Sequence, residues 1–377
     1  MNKDILVVAN YLPQFHVIPE NSLFWGEGYT DWVAVRNAVP LFTGHNQPRI
    51  PLGDRYYSLD KYDDIKRQVD TANKYGVSGF NIYHYWFSSE KNLLSKPADI
   101  ILTNPELKIK YMFTWDNASW KRTWSAVKHA NDWAPISDNN SDASHKNGVL
   151  IELEYGTEED WKIHFEYLLK FFNDNRYIKE ENKPVFGIFN PDNMPDTLKS
   201  MISYWDKLAR QNGFNGIKVI CKNNHNENVI TPYSFTYEPG NSAWESRNIL
   251  DKIKKRIGKL NTLKEKPQIF SYEKIWENLL LRAEKNKDNG VYYGCFVDFD
   301  DTPRRGKRGR IVKGGSPDLF AKYFARFINI CKEKQKPMLF ITAWNEWSEG
   351  AFLEPDEEYG YGYLEALKQV IEKEIFG

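Results

Sequence analysis

The chain has 377 residues, and its 51 Lys and Arg are matched by 51 Asp and Glu, so no net field would hold a nucleic acid or an anionic membrane. No stretch reaches the roughly 18 consecutive apolar residues that a membrane span requires. Three scattered cysteines (Cys221, Cys295, Cys331) lack the spacing of a zinc site or a disulfide framework.

Met1-Asn2-Lys3-Asp4 runs without a signal-peptide pattern into Ile5–Tyr11, an apolar run of strand length. With the isolated cysteines, that start predicts a cytoplasmic protein. A long aromatic loop follows, and then Tyr62–Tyr75 places Ile65, Val69 and Ala72 on one helical face, with Gly76 as the stop. Val77–Tyr85 is the second expected strand and Lys110–Asp116 the third, before a polar Asn/Ser/Asp-rich insertion to about Asn147. Thr157 caps a helix carrying Trp161, Phe165, Leu168 and Phe172, with Asp160 at the capping-box position.

Pro184–Asn190 is the fourth strand, followed by a helix near Thr197–Gln211 with Met201, Trp205 and Leu208 on one side. Lys218–Cys221 and Ser234–Glu238 are the fifth and sixth strands, with little room for a helix between them. The basic stretch Lys252–Lys266 reads as a solvated face ahead of a helix starting near Ser271. Val291–Asp298 is the seventh strand; Ser316-Pro317 opens a helix with Phe320, Phe324, Phe327 and Ile328 inward. The run from Met338 to Glu346 is the eighth strand, and Tyr363–Ile375 closes the chain as a helix. Eight strand-then-helix alternations without an internal linker predict one (β/α)8 TIM barrel over residues 1–377, with long βα loops.

In such barrels chemistry sits at the carboxyl ends of the strands. If the smaller or more polar member of each alternation points inward, Asn81, Tyr83 and Tyr85 face the interior from strand two, and Thr114 and Asp116 from strand three. The same rule gives Thr236 and Glu238 from strand six, Gly294, Asp298 and Asp300 from strand seven, and Thr342, Trp344 and Glu346 from strand eight. Glu346 and Glu349 stand three residues apart between Trp344 and Trp347, as a pair of acids acting on the two sides of a glycosidic bond would. Aromatics make up 15% of the chain, with 13 Trp, and their placement near strand ends suits stacking on sugar rings. Trp25 and Trp120 are candidate platforms; Trp32, beside Thr30-Asp31, reads rather as loop core. His16 and His45 either touch sugar or tie their loops, and His84, on the outer parity, is expected to pack. Asp298-Phe299-Asp300 has the DxD spacing of nucleotide-sugar transferases, but it ends a barrel strand, and no metal or cofactor is expected. Arg304, Arg305 and the basic loop to Lys313 read either as an anion contact or as a surface loop.

Tyr11-Leu12-Pro13-Gln14-Phe15-His16, Trp25-Gly26-Glu27-Gly28-Tyr29-Thr30-Asp31-Trp32 and Gly44-His45-Asn46-Gln47-Pro48 resemble the amino-terminal signature of the WbsX-type proteins. Those occur in bacterial surface-polysaccharide gene clusters and carry the name glycosyltransferase. Tyr83-His84-Tyr85-Trp86-Phe87 resembles their second block, and Trp344–Gly350 with Leu353-Glu354-Pro355 their last. The last block also resembles the endo-α-mannosidase-like glycoside hydrolases of family ninety-nine. That resemblance implies Glu346 as the base and Glu349 as the general acid, in a retaining reaction through a 1,2-anhydro sugar. These motifs and the strand-end parity together give as candidate sugar contacts Tyr11, Gln14, His16, Trp25, His45, Tyr83, Tyr85, Trp86, Trp115, Asp116, Asn117, Trp120, Glu238, Asp298, Asp300, Trp344, Asn345 and Trp347. One departure stands out: relatives commonly read Trp-Ala-Asn-Glu-Asn-Trp after strand three, where this chain has Trp115-Asp116-Asn117-Ala118-Ser119-Trp120. Ala118 lacks the acid, and Asp116 is the candidate replacement. The expected activity is a retaining glycosidase or transglycosylase on α-linked, mannose-type surface sugars. The alternatives are a glycosyltransferase, which would need a nucleotide-binding turn not found in the sequence, and a silent glycan-binding barrel.

Overall fold

The computed structural model describes residues 5–121, 149–223, 230–244 and 266–375. Residues 122–147 of the polar insertion after strand three, and all of the Lys252–Lys266 stretch but Lys266, lie outside them. Eight parallel strands form one ring: β1 (Leu6–Tyr11), β2 (Gly79–Ser88), β3 (Lys110–Trp115), β4 (Lys183–Ile188), β5 (Lys218–Lys222), β6 (Ser234–Phe235), β7 (Val291–Tyr292 and Gly294–Phe296) and β8 (Met338–Thr342). β1 pairs with both β2 and β8, which brings the two ends of the chain's strand series together. Closure falls to β7. Its first half pairs with β6 (Phe235 beside Tyr292) and its second half with β8 (Cys295 beside Ile341), the break lying at Tyr293.

Helices cover the outside: α1 (Tyr62–Lys74), α2 (Lys96–Thr103), α3 (Glu158–Phe172), α4 (Pro195–Gln211), α5 (Tyr272–Lys285), α6 (Pro317–Glu333) and α7 (Gly362–Ile375). Their starts follow the local rules. Thr157 and Asp160 form a reciprocal capping box on α3, and Ser316 Oγ accepts from Leu319 N (3.3 Å) ahead of Pro317 on α6. Between β5 and β6 the chain has only residues 223–233, too few for the usual crossover helix.

The interior layer of the ring is polar. Asn81 Nδ2 donates to Asn10 Oδ1 (2.9 Å), Thr114 Oγ1 to Asn81 Oδ1 (2.8 Å), and Asn10 Nδ2 to Thr342 Oγ1 (3.2 Å). The chain β8–β1–β2–β3 is thus laced at mid-height by side chains that satisfy one another, as buried polar groups must. Gly187 on β4 makes room for this layer, because a Cβ there would lie 2.0 Å from Thr114 Oγ1. The apolar payload lies instead between sheet and helices. Trp86 stacks on His164 of α3 (4.3 Å, 1°), Trp115 meets the same ring edge-on, and His84 Nε2 bonds His164 Nε2 (2.9 Å).

Candidate active site

Beyond β8 the chain forms a tight hairpin: Asn345–Glu346 pairs antiparallel with Ala351–Phe352 around the 3-10 turn Trp347–Glu349. Gly350 closes the turn at φ +59, where a Cβ would also approach Asp300 N to 2.8 Å, so glycine is required twice over. The hairpin is pinned at both ends. Asn345 Oδ1 accepts from Leu12 N (2.7 Å) while its Nδ2 donates to Leu12 O (3.0 Å). Glu354, just after the hairpin, accepts from Trp347 Nε1 (2.7 Å), Tyr57 OH (2.7 Å) and Gln68 Nε2 (2.8 Å).

Held this way, Glu346 is only 3% exposed and points to the barrel mouth. Its Oε1 accepts from Tyr83 OH (2.6 Å) and Tyr237 OH (3.0 Å), and Oε2 from Tyr237 OH (3.1 Å). Burial raises its pKa well above the ordinary carboxylate range, and the nearby charge of Glu349 raises it further; Tyr83, Arg304 and Tyr237 act in the opposite direction. Glu349, its side chain 24% exposed, accepts from Arg304 Nη1 at 2.6 Å. Arg304 also donates through Nη2 to Asp31 Oδ1 (3.1 Å), and Asp31 Oδ2 accepts from Ser348 Oγ (2.6 Å). The acid turn is therefore clamped from below by one buried carboxylate–guanidinium pair. Desolvation opposes the charge on Arg304, but Asp31, Glu349 and Glu346 outweigh it and hold the cation.

The chemical capacity of the pair follows from this arrangement. Two carboxyls in reach of each other's charge stand beside one guanidinium and two phenols. Glu346 is oriented by two hydroxyl donors, and Glu349 is partly open to solvent.

Around them stand Tyr85, whose hydroxyl accepts from Gln14 Nε2 (3.2 Å), and Trp120, partly buried and edge-on to Tyr85 (5.6 Å). Asp116 faces the mouth from the end of β3, as expected; Asn190 Nδ2 donates to it at 3.3 Å. Burial lifts its pKa to about 6 against the pull of Lys222 and Asn190.

Several residues expected at this rim are elsewhere, each for a physical reason. Tyr11 faces outward and donates to Gln68 of α1 (2.6 Å). Trp86 and Trp115 fill the β2–β3/α3 interface, and Trp344 is fully buried against Phe80 (5.4 Å). Trp347 stacks on Phe352 (3.7 Å), and Trp25 is buried with Phe24 and Tyr29. Trp32 is loop core, as read, donating to Tyr57 O (2.9 Å). Asn117 and Asn345 bond backbone: Asn117 Nδ2 donates to Asn190 O (2.8 Å). His45 Nε2 sits 2.7 Å from Asp300, which also accepts from Gln47 (2.9 Å) and Thr302 (2.6 Å). Asp298 pairs with Arg49 at 2.8 Å, so the DxD aspartates fasten the first loop to β7. His16 is buried in its loop, and burial lowers its pKa.

Glu238 corrects the parity expected for β6. Phe235 meets Phe340 (5.1 Å) and Tyr237 meets Glu346, so these two point inward. Glu238 turns to the helix layer and accepts from its own following turn, Asn241 Nδ2 (3.0 Å), Ser242 N (2.9 Å) and Ser242 Oγ (2.8 Å). Tyr237 and Asp31 were not read from sequence as site residues, and Arg304 is a buried clamp rather than a surface loop. A strand-end Tyr at the parity opposite Glu238, and an Arg just past a barrel strand, were the available signals.

Among solved structures, the chain resembles the family 99 endo-α-mannosidase of Bacteroides thetaiotaomicron (TM-score 0.56, 12% identity, 97% of this chain and 96% of that one). It also resembles a glycoside hydrolase-like protein (TM-score 0.56, 14% identity, 98% and 94% covered). At these identities the likeness is one of fold. The uncharacterized protein WxcX of Xanthomonas campestris pv. campestris is 28% identical over 370 residues, 97% of this chain. This chain spans about half of that relative, 49% of its length. The model of the family described as Glycosyltransferase WbsX matches residues 7–367, and the chain belongs to that family, a carbohydrate-active one built on a TIM-like barrel.

Proposed function

We propose that this chain is a retaining glycoside hydrolase or transglycosylase acting on α-linked, mannose-type sugars of a bacterial surface polysaccharide. The observation that carries the reading is the carboxyl pair itself: buried Glu346 under two phenol donors, and solvent-facing Glu349 on Arg304. Glu346 takes the proton of the sugar 2-hydroxyl, O2 closes on C1, and the glycosidic bond breaks as Glu349 gives its proton to the leaving oxygen. As the C1–O2 bond then opens and its electron pair returns to O2, water, or an acceptor hydroxyl, adds at C1. Its proton goes to Glu349, O2 recovers its own from Glu346, and the product keeps the starting configuration. The pair ends each cycle with the single proton it began with.

Reducing-sugar release from surface-polysaccharide fragments, with no nucleotide sugar added, tests this. Glu346→Gln and Glu349→Gln are each expected to lower the rate by about 10²–10⁴-fold, the usual contribution of a positioned acid or base. Unchanged rates in both variants would overturn the assignment. Sugar transfer is the second reading, favoured by the family's description. Product formation strictly dependent on a nucleotide sugar would establish it instead.

A further inference from the structure

Glu349 is held at three points, and they treat its two carboxyl oxygens differently. Its backbone carbonyl accepts from Asp300 N (2.6 Å), and its Oε1 accepts from Arg304 Nη1 (2.6 Å). The third hold comes through its neighbour Ser348, whose Oγ donates to Asp31 Oδ2 at 2.6 Å. The other oxygen of Asp31 accepts from Arg304 Nη2 at 3.1 Å, so one carboxylate grips both the guanidinium and the turn that bear on Glu349. Asp31 is itself fully buried, and its N–H donates to Gln14 O (3.0 Å) in the loop after β1. Among the described residues nothing hydrogen-bonds Glu349 Oε2, and the side chain is 24% exposed.

A guanidinium keeps its charge in a protein, and a buried one needs a counter-charge at each stage of a reaction. Asp31 stays with Arg304 whether Glu349 is an anion or an acid. A proton can therefore sit on Glu349 Oε2 while Oε1 remains on Arg304. We infer that Asp31 is a positioning residue for leaving-group protonation: through Arg304 and Ser348 it sets Glu349 with one oxygen fixed and the other free to act. The proton passes from Oε2 to the glycosidic oxygen as that oxygen takes the electron pair of its bond to C1. Glu349 is left an anion, still on Arg304. The inference rests on the carboxyl-pair reading above and adds what aims its acid.

Steady-state hydrolysis of two α-mannosides separates this from a purely structural part. One is α-linked mannotriose, whose sugar leaving group must be protonated; the other is a dinitrophenyl α-mannobioside, whose phenolate leaves without a proton. Glu349→Gln is expected to lose about 10²–10⁴-fold in kcat on mannotriose and far less on the aryl substrate. Asp31→Asn is expected to show the same bias, its loss on mannotriose exceeding that on the aryl substrate by about 30-fold or more, and Ser348→Ala by about 5-fold. Equal losses on the two substrates in Asp31→Asn, or no loss on either, overturn the positioning role and leave Glu349 as the acid. Should Asp31→Asn fail to fold, Ser348→Ala decides by the same comparison. Absence of bias in Glu349→Gln, or no turnover of either substrate by the wild type, overturns the reading above, and the inference with it.

Discussion

Glu346 is kept from water, raised in pKa, and set against a like charge, which is what burying one carboxyl beside another costs a fold. A carboxyl whose folded pKa lies above its unfolded value destabilises the native state at pH above the unfolded pKa, and that penalty disappears on neutralisation. Glu346→Gln is therefore expected to raise the melting temperature at pH 7.5 while lowering turnover; a lower melting temperature would mean the carboxylate is stabilising. The opposite sign is expected at Asp31. Asp31→Ala leaves Arg304 with one exposed-side partner in place of two and removes the acceptor of Ser348, at a cost of about 3 kcal/mol in chemical denaturation. Both residues lay in motifs legible in the sequence, but only Glu346 announced its role. Asp31 reads with Thr30 as a turn or cap, and nothing local to it reveals a guanidinium arriving from 273 positions away.

The hairpin carrying the acids is an element with no slack. Glu354→Ala would leave Trp347 Nε1, Tyr57 OH and Gln68 Nε2 without their shared acceptor, each worth about 1–3 kcal/mol when buried and unmet. Loss of stability and of turnover together is expected; stability lost with turnover intact would show that the hairpin does not depend on this anchor. Gly350→Ala forces a side chain into both a left-handed backbone and the Asp300 amide, and is expected to lower kcat at least 10-fold in steady-state assays. At this scale the alternation of strands and helices was plain, because the helical faces repeat cleanly and the caps are explicit. The tryptophans misled. Their strand-end clustering resembles a sugar-binding rim, yet Trp86, Trp115 and Trp344 supply the bulk that fills the space between sheet and helices. The two-residue β6 also defeated the polar-inward rule, since Tyr237 has the mouth to reach into and Glu238 has its own turn to bond.

Buried titratable groups set the pH behaviour of the whole molecule. Burial lifts Glu238 and Glu354 to about 7 and Asp116 and Asp301 to about 6, while it pulls His84 down to about 3 and lowers His164. The carboxyls gain stability as pH falls through their folded values toward about 4. The histidines lose it as pH falls below about 6.5, where only the unfolded chain takes up protons. The four carboxyls outnumber the two histidines, so melting temperature is expected to rise from pH 8.5 to about 5, more gently once the histidines oppose it below about 6.5. A steady climb from pH 6 to 9 would contradict these signs.

The ring's closure has a kinetic corollary. β6 joins its neighbours over two residues a side, and β7 is interrupted at Tyr293, whereas β2 and β3 share six paired positions. Amide protons of Ser234 and Thr236, held by Gly290 O and Tyr292 O at 3.0 Å, should exchange with deuterium sooner than those of β2. Each such excursion would carry Tyr237 away from Glu346, so the seam where the cask is thinnest also sets how often this buried carboxyl loses one of its two hydroxyl guides.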